Sequence, residues 1–359
     1  MALILTVIFI ALIFEFINGF HDTANCIATV VSTKVLTPRQ AIFLASITNL
    51  IGALWGTAVA KTIASGLVDT SIVTPEVLIA ALIGGIAWNL ITWYVGIPSS
   101  SSHALIGGLC GASLAAAHND WGVIIWSQSS ANHWYEGKGV LWKVVVPMVL
   151  SPLLGFFVGG LIMSFLYAVL SKGTPRTINN VFGKLQIFSA ASMGVMHGTN
   201  DAQKTMGIIA LSLFAASQQG TLDTLPTWLT FLKVSDTTHG TNIEIATWIK
   251  IICAITMAAG TAMGGWKIIR TMGQKMVRLQ PIHGFAAETS SSLVLHLAST
   301  LGIPVSTTHN ITASVLGVGA AKNIKSIKLI VVERILWAWI FTLPMSGGVG
   351  YLAFKLISK

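Results

Sequence analysis

The chain has 359 residues and a formal net charge of +9; 53% of the residues are apolar, only 9% are charged, and the mean hydropathy is +0.76. A soluble domain normally has about 25% charged residues, so this composition excludes a mainly water-soluble protein. The basic residues are scattered through short loops between apolar runs. This pattern favours contact with anionic lipid headgroups and argues against a nucleic-acid partner. Cys26, Cys110 and Cys253 lie at unrelated spacings within apolar segments, which excludes a disulfide framework or a cysteine metal cluster.

About ten apolar segments follow one another along the chain, each near the length of roughly 20 residues that a spanning helix needs. They cover residues 2–31, 40–60, 77–97, 99–117, 143–170, 186–215, 245–265, 286–302, 304–320 and 330–355. The first segment lacks the basic region of a cleaved signal peptide, so we interpret it as the first span. The sequence therefore predicts an all-α integral membrane protein that crosses the bilayer several times.

Two pairs of these segments are separated only by a short tip that contains a proline and several hydroxyl residues. The pairs are predicted hairpins over residues 77–117 and 286–320. Each hairpin either crosses the bilayer completely or re-enters it from one side. In both cases the chain returns to the side from which it came.

Basic residues concentrate in alternate loops, and cytoplasmic loops carry an excess of Lys and Arg. An N-terminus on the outside places most of these residues inside, and the C-terminus then also lies outside. The loops predicted to be cytoplasmic contain Lys34, Arg39, Lys172, Arg176, Lys184, Lys267, Arg270, Lys275, Arg278, Lys322, Lys325, Lys328 and Arg334.

The second half of the chain repeats motifs of the first. Residues 18–25 (NGFHDTAN) are similar to residues 194–204 (GVMHGTNDAQK), and the tip at 96–103 (GIPSSSSH) recurs 206 positions later at 302–309 (GIPVSTTH). Under the predicted orientation, the two segments that carry the first motif run in opposite directions. Matching motifs in halves of opposite direction are typical of inverted-repeat transporters.

This repeat defines the predicted organisation of the chain. Residues 1–170 form the first inverted repeat, with a broken first helix and the first hairpin. Residues 171–185 form a short cytoplasmic linker, and residues 186–359 form the second inverted repeat with the second hairpin.

The two tips have the composition of helix starts. Proline fits the first turn of a helix, and Ser and Thr are preferred caps. A helix start attracts anions through its dipole and its unpaired N–H groups, and hydroxyl donors add to this. Two such starts at the bilayer midplane would suit a tetrahedral oxyanion, whereas the alternative interpretation is that the serines allow close helix packing. The candidate anion-binding residues are Ser99, Ser100, Ser101, Ser102, Ser306, Thr307 and Thr308.

Two acidic residues lie inside apolar segments, where a charge is costly and by default marks an ion path. Asp22 and Asn25 place hard oxygens on one helical face, as Na⁺ prefers; a hydrogen-bonded structural Asp is the alternative. Counting from the acid, Lys204 in the second half takes the place of Asn25. Its ammonium group either neutralises Asp201 or attracts the anion directly, which disfavours a second Na⁺ site and favours proton coupling. The candidate cation- or proton-linked residues are Asp22, Asn25, Asn200, Asp201, Gln203, Glu15 and Glu288.

Histidines recur in the same motifs as His21, His103, His197 and His309. They are either hydrogen-bonding braces between helices or members of a proton relay. Their spacing does not match a zinc motif, and no fixed metal site is expected apart from Na⁺ near Asp22 and Asn25. Glu15 and Glu288 likewise remain open between proton or cation handling and a buried brace.

At these motifs the chain resembles the inorganic phosphate transporter (Pit) family. The resemblance covers essentially the whole length and rests on residues 19–25, 98–103, 197–201 and 304–309. It implies an inverted-repeat fold, a homodimer in the bilayer, and inorganic phosphate held between the two tips. It also implies that Ser100, Ser101, Ser102, Ser306, Thr307 and Thr308 contact phosphate, and that Asp22, Asn25 and Asp201 are linked to cations.

The second motif departs from that of the sodium-coupled members, which have Asn at the position of Lys204. The Gln203-Lys204 form is similar to the bacterial low-affinity members, which use protons and accept metal–phosphate complexes. The resemblance therefore implies H⁺ or Na⁺ as the coupling ion, a divalent metal as a co-transported ion, and no resident cofactor. It also implies the cytoplasmic (inner) membrane of a prokaryote as the location.

These observations predict a secondary transporter that imports phosphate and is not an enzyme. The chain has no Walker-type loop for ATP. A sulfate permease of the same fold is the alternative within transport, because a related group uses similar tips. A membrane hydrolase that uses Ser, His and Asp is a remote alternative, since the Gly-x-Ser-x-Gly motif is missing and the candidate residues occur in both halves.

Overall fold

The computed structural model describes residues 1–128, 137–222, 225–233, 244–272, 276, 279–323 and 327–358, with the backbone alone for Trp266 and Lys322. Three of the basic residues used to predict the orientation, Lys275, Arg278 and Lys325, lie outside these described residues. All of the candidate site residues lie inside them.

Helices make up most of this described part. They are α1 (Ala2–Ser32), α2 (Pro38–Ala53), α3 (Ala58–Ser65), α4 (Pro75–Val95), α5 (Ser101–Ala116), α6 (Val146–Val169), α7 (Pro175–Gln218), α8 (Thr247–Met263), α9 (Trp266–Arg270), α10 (Pro281–Thr300), α11 (Thr307–Asn323) and α12 (Leu329–Ile357). A π-helical turn, Leu141–Val145, leads into α6. Extended pairing within the described ranges is limited to two isolated bridges, so the all-α prediction is confirmed.

Several helices begin where the sequence places a threonine before a proline. Thr37, Thr74 and Thr174 each cap a helix whose first residue is proline, and each side-chain oxygen accepts a backbone N–H of the first turn. Proline costs little at the first helical position because its missing N–H would have no partner there. These local signals fix the starts of α2, α4 and α7.

The first helix has no break, which corrects the expectation from the sequence. Helix α1 runs without interruption for 31 residues through the polar motif. The motif contains no proline, and Thr23 donates its hydroxyl hydrogen back to Gly19 O at 2.7 Å, a bond compatible with a continuous helix. The break lies in the next segment instead: α2 and α3 are bent by 67° at residues 54–57, which include Gly56 with a φ of 86°.

The predicted linker at residues 171–185 is also mostly helical. Helix α7 begins at Pro175, capped by Thr174, and continues for 44 residues to Gln218. The connection between the halves is thus a short turn followed by the first turns of α7. The polar composition of this stretch reflects an exposed helical surface.

Four helical stretches of the described chain are long and apolar enough to cross a membrane on their own: Ala2–Ser32, Pro75–Val95, Leu141–Val169 and Leu329–Ile357. The bent pair α2–α3 would make a fifth if it counts as one span. The sequence predicts about ten apolar segments, which is more than the number of helices that meet this test. The numbers differ because several segments, such as α10 and α11, are rich in polar residues or are shorter than the roughly 20 residues of a simple span.

The helices of the two halves pack in an exchanged pattern. Helix α5 packs on α12, and α11 packs on α6; α2 packs on α7, and α8 packs on α1. The hairpins α4–α5 and α10–α11 each pack internally as well. Because of this exchange, the tip of each hairpin is directed to the middle of the molecule, where α1 and α7 also contact each other.

Candidate functional site

The starts of α5 and α11 face each other at the centre of the protein. Ser100 caps α5 by accepting the N–H of His103 at 3.2 Å, and Ser306 caps α11 by accepting the N–H of His309 at 3.2 Å. Ser102 donates its hydroxyl hydrogen to Val305 O at 3.4 Å, which joins the two tips directly. The first amides of a helix have no acceptor within the helix, so two sets of N–H donors converge here.

The tips are closed off from solvent. The seven candidate hydroxyl residues of the two tips are at most 3% exposed. An anion in this place would lose its hydration shell, and the hydroxyl and N–H donors of the two helix starts would have to replace it. The geometry therefore has the donor character that an oxyanion needs.

Helix α1 brings a carboxylate and an amide to the second tip. Thr308 donates its hydroxyl hydrogen to Asp22 Oδ1 at 3.4 Å. The side-chain amide of Asn25 donates to Thr307 Oγ1 at 3.1 Å and to Thr308 Oγ1 at 3.0 Å. Asp22 and Asn25 therefore lie together on one face of α1, as the sequence predicts, and both contact α11.

Helix α7 brings an ammonium group between the two tips. The Nζ of Lys204 donates to Asp201 Oδ1, to Ser102 Oγ and to Val305 O at 3.3 Å. The other carboxylate oxygen of Asp201 accepts a hydrogen from Thr307 at 3.0 Å. Of the two alternatives for Lys204, the structure shows neutralisation of Asp201 and, at the same time, contact with a candidate anion-binding serine.

The two acidic motifs meet where α1 crosses α7. Asp22, His197 and Asp201 are buried, and each offers one atom to a group whose members all lie within 4.8 Å of one another. Two carboxylate oxygens and an imidazole nitrogen are a donor set for a divalent metal or a small hard cation. Because Lys204 already neutralises Asp201, the free charge for a cation comes chiefly from Asp22.

A chain of hydrogen bonds runs from Asp22 to the first tip. The Nδ1 of His21 lies 2.6 Å from Asp22 Oδ1, its Nε2 lies 3.2 Å from Thr92 Oγ1, and Thr92 Oγ1 lies 2.8 Å from Ser99 Oγ. The second half has Ala298 and Val305 at the positions 206 residues after Thr92 and Ser99, so it cannot form the same chain. Sequence reasoning missed Thr92, although a hydroxyl seven residues before Ser99 without a counterpart in the repeat was a signal.

The other histidines have different partners. His197 contacts Asp201 Oδ2 at 3.1 Å and, through Nδ1, Asn49 Oδ1 at 3.1 Å. The rings of His103 and His309 contact each other with centroids 4.9 Å apart, and neither ring has a hydrogen-bond partner among the described residues. His197 therefore links α7 to α2, while His103 and His309 pack ring against ring between the helix starts.

Asn49 is a second residue that sequence reasoning missed. Besides contacting His197, it donates from its side-chain amide to Thr261 Oγ1 at 3.0 Å, and it is fully buried. Its signal was an amide side chain in the middle of an apolar segment. It connects α2, α7 and α8 behind the crossing of α1 and α7.

Four predicted site residues lie outside this cluster. Gln203 bonds the start of α3, where its Oε1 accepts from Val59 N at 2.8 Å. Asn200 donates to Ser299 Oγ at 3.1 Å on α10. The remaining two are buried carboxyl groups: Glu15 accepts a hydrogen from Thr205, and Glu288 accepts hydrogens from Thr29, Ser189 and Gln186.

The sequence profile of the phosphate transporter family matches residues 18–350, a range that includes every residue of this cluster. The chain belongs to the phosphate transporter family. It is similar to a "probable low-affinity inorganic phosphate transporter" of Bacillus subtilis, with 41% identity over 99% of this chain and 98% of that protein. A protein of the same description from Rhizobium meliloti is 42% identical over 98% of this chain and 96% of its own length.

The fold of this phosphate transporter family member is similar to a solved structure described as "the sodium-dependent phosphate transporter". The TM-score is 0.80 and the sequence identity 23%, with 100% of this chain and 99% of that chain covered. The resemblance noted in the motifs is thus confirmed. Because its relatives are phosphate transporters, the protein is a membrane transporter and not an enzyme, and phosphate is the substrate of its family.

Thr92→Val should weaken phosphate uptake, since valine keeps the shape of threonine but removes the link between His21 and Ser99. With about 1 kcal/mol for one hydrogen bond, we expect at least a fivefold loss of uptake rate at subsaturating phosphate. The measurement is initial uptake of radiolabelled phosphate into cells or proteoliposomes. Thr92→Ser restores the hydroxyl and should recover most of the rate; equal defects in both variants would contradict the role of the hydrogen bond.

Proposed function

We propose that this transporter is a secondary active importer of inorganic phosphate, with the anion bound between the starts of α5 and α11. The observation that supports this most directly is the position of Lys204, whose ammonium group contacts a serine of the first tip and the Val305 carbonyl oxygen of the second. A single cation held between two helix starts attracts an anion to that place.

The donors of the site suit phosphate. The amides of two helix starts and the hydroxyl groups of Ser101, Ser102, Thr307 and Thr308 can approach the four oxygens of a tetrahedral anion from opposite sides. Sulfate has the same shape, but it has no protonated form near neutral pH. If the uptake rate changes with pH as the fraction of protonated substrate changes, the substrate is phosphate and not sulfate.

We propose H⁺ rather than Na⁺ as the main coupling ion. Lys204 places its ammonium group beside Asp201, in the half where a second bound cation would otherwise lie. The first half keeps Asp22 and Asn25, whose oxygens suit either a proton or one Na⁺. A divalent metal that travels with phosphate would be held by Asp22, His197 and Asp201, whose ligand atoms lie within 4.8 Å of one another.

The transport cycle that we propose is alternating access about an inverted repeat. The exchanged packing of α5 on α12 and α11 on α6 supports such a relation between the halves. We further propose that both termini lie outside, because the basic residues concentrate in the loops on the opposite side. A homodimer in the inner membrane of a prokaryote completes the proposal and rests on the resemblance to the Pit family.

The decisive experiment is phosphate uptake into proteoliposomes with separately imposed H⁺ and Na⁺ gradients. We expect accumulation driven by an inward H⁺ gradient, with arsenate as a competitor and sulfate without effect, since arsenate shares the size and protonation of phosphate. Runs with and without Mg²⁺ test the metal–phosphate complex. Uptake that follows Na⁺ alone would refute proton coupling, and competition by sulfate would refute phosphate specificity.

Asp22→Asn should abolish accumulation against a gradient, because the amide can carry neither a proton nor the charge that binds a cation. Counterflow exchange of phosphate, which needs no net driving force, should persist at a reduced rate. Asp120→Asn is the matched control: it makes the same chemical change at an exposed acidic residue and should leave both rates unchanged. Concentrative uptake by Asp22→Asn would remove Asp22 from the coupling step.

Lys204→Asn should shift the cation requirement towards Na⁺. The substitution removes the ammonium partner of the buried Asp201 carboxylate, and a bound cation can take its place. We expect uptake to be low without Na⁺ and to be stimulated by it. Lys204→Arg keeps the charge and should show no such stimulation. If the cation requirement of Lys204→Asn is unchanged, the interpretation that Lys204 occupies the place of a bound cation is wrong.

A further inference from the structure

Two threonines outside the candidate site, one on the short helix α3 and one directly after the short helix α9, each bind the hairpin tip of the other half of the chain. Thr62 on α3 donates its hydroxyl hydrogen to Gly302 O at 2.7 Å. Thr271, which follows α9, donates its hydroxyl hydrogen to Gly96 O at 2.9 Å. We name the first bond the α3 latch and the second bond the α9 latch.

The acceptor glycines of the two latches are equivalent under the internal repeat. Gly96 and Gly302 lie 206 positions apart in the matching tips, and both have a left-handed backbone, with φ of 76° and 64°. At each of them the chain leaves the first arm of a hairpin and turns into the tip that contains the candidate anion-binding residues. A bond to this carbonyl therefore fixes the position of the tip with respect to the rest of the protein.

We propose that Thr62 and Thr271 are positioning residues that hold the two tips closed over the phosphate site, and that release of one latch frees the tip that it holds. The proposal rests on the proposed binding of phosphate between the tips. In an inverted repeat, α3 and α9 lie towards opposite faces of the membrane. Breaking the α3 latch and breaking the α9 latch would therefore open the site to different sides.

The surroundings of the α3 latch connect it to the site. Gln203 accepts the N–H of Val59 at 2.8 Å and that of Ala60 at 3.3 Å at the start of α3, and its amide donates to Thr199 O at 2.7 Å. Gln203 directly precedes Lys204 on α7. The side chain of Gln203 thus links the helix that carries Lys204 directly to the helix that carries the α3 latch.

The α9 latch is reinforced by a cation instead. Lys267 donates from Nζ to Tyr94 O at 3.0 Å, and the same Nζ lies 4.4 Å from the centre of the Tyr94 ring and 5.3 Å from that of Trp93. These contacts hold the last turn of α4, just before Gly96. The two latches thus share the threonine–glycine bond and differ in what stabilises it.

The simpler interpretation is that the threonines only satisfy carbonyl groups that a helix end leaves without a partner. In that case their loss would loosen the protein generally, or not at all. If the bonds act as latches, loss of one threonine hydroxyl should loosen only the tip that it binds. The two acceptors lie 240 and 175 residues away in sequence from Thr62 and Thr271.

The test is hydrogen–deuterium exchange on the full-length protein in lipid nanodiscs, for Thr62→Val, Thr271→Val and the matched Thr62→Ser and Thr271→Ser variants. We expect Thr62→Val to raise amide exchange about fivefold in the tip at 302–309 and not at 96–103, as follows from the loss of one hydrogen bond in local opening. Thr271→Val should do the reverse, and both Ser variants should resemble the wild type. If a single valine variant shows faster exchange in both tips, or in neither, the proposal that each threonine holds one tip is wrong.

A second arm adds saturating inorganic phosphate to each sample. Phosphate between the tips should slow exchange in both tips of the wild type and should partly restore the tip that a valine variant has loosened. If phosphate has no effect while each valine variant still loosens one tip, the latches stand and the proposed phosphate site fails. If phosphate slows both tips and the valine variants change neither, the site stands and the latches fail.

Discussion

The ion pair of Lys204 and Asp201 is the interaction on which the site depends. Both residues are at most 2% exposed, and a buried charge is tolerated only when it is paired and hydrogen-bonded. Each satisfies this condition through a tip residue: Lys204 also bonds Ser102, and Asp201 also bonds Thr307. The two hairpins are thus held against α7 by buried charged groups, and the loss of either hydrogen bond would lower the stability of the fold.

The same pair makes the two halves unequal. In the first half, no lysine or arginine among the described residues pairs with Asp22, which is linked through His21 and Thr92 to Ser99. In the second half, the charge is fixed by Lys204 and the matching hydroxyls are replaced by Ala298 and Val305. The two halves therefore differ in the partners of their buried carboxylates: Asp201 is paired with Lys204, whereas Asp22 contacts a histidine.

Local sequence signals predicted the tips well, because proline followed by Ser and Thr specifies a helix start without help from the rest of the fold. The positions of Asp22, Asn25 and Lys204 followed from the same motifs. The break of the first helix was wrong, since polar side chains alone do not interrupt a helix; the bend lies between α2 and α3. Thr92, Asn49, Thr62 and Thr271 stand outside these motifs, and their contacts with distant parts of the chain could not be predicted from local signals.

The continuity of α1 and α7 separates two kinds of binding group. Asp22 and Asp201 belong to unbroken helices that form a scaffold, whereas the hydroxyl and amide donors belong to tips at the ends of hairpins. In the proposed transport cycle, groups on the scaffold would keep their positions when a tip withdraws. A cation would then load onto the open protein, the anion would complete its shell only after closure, and the expected steady-state kinetics are an ordered scheme with the cation first.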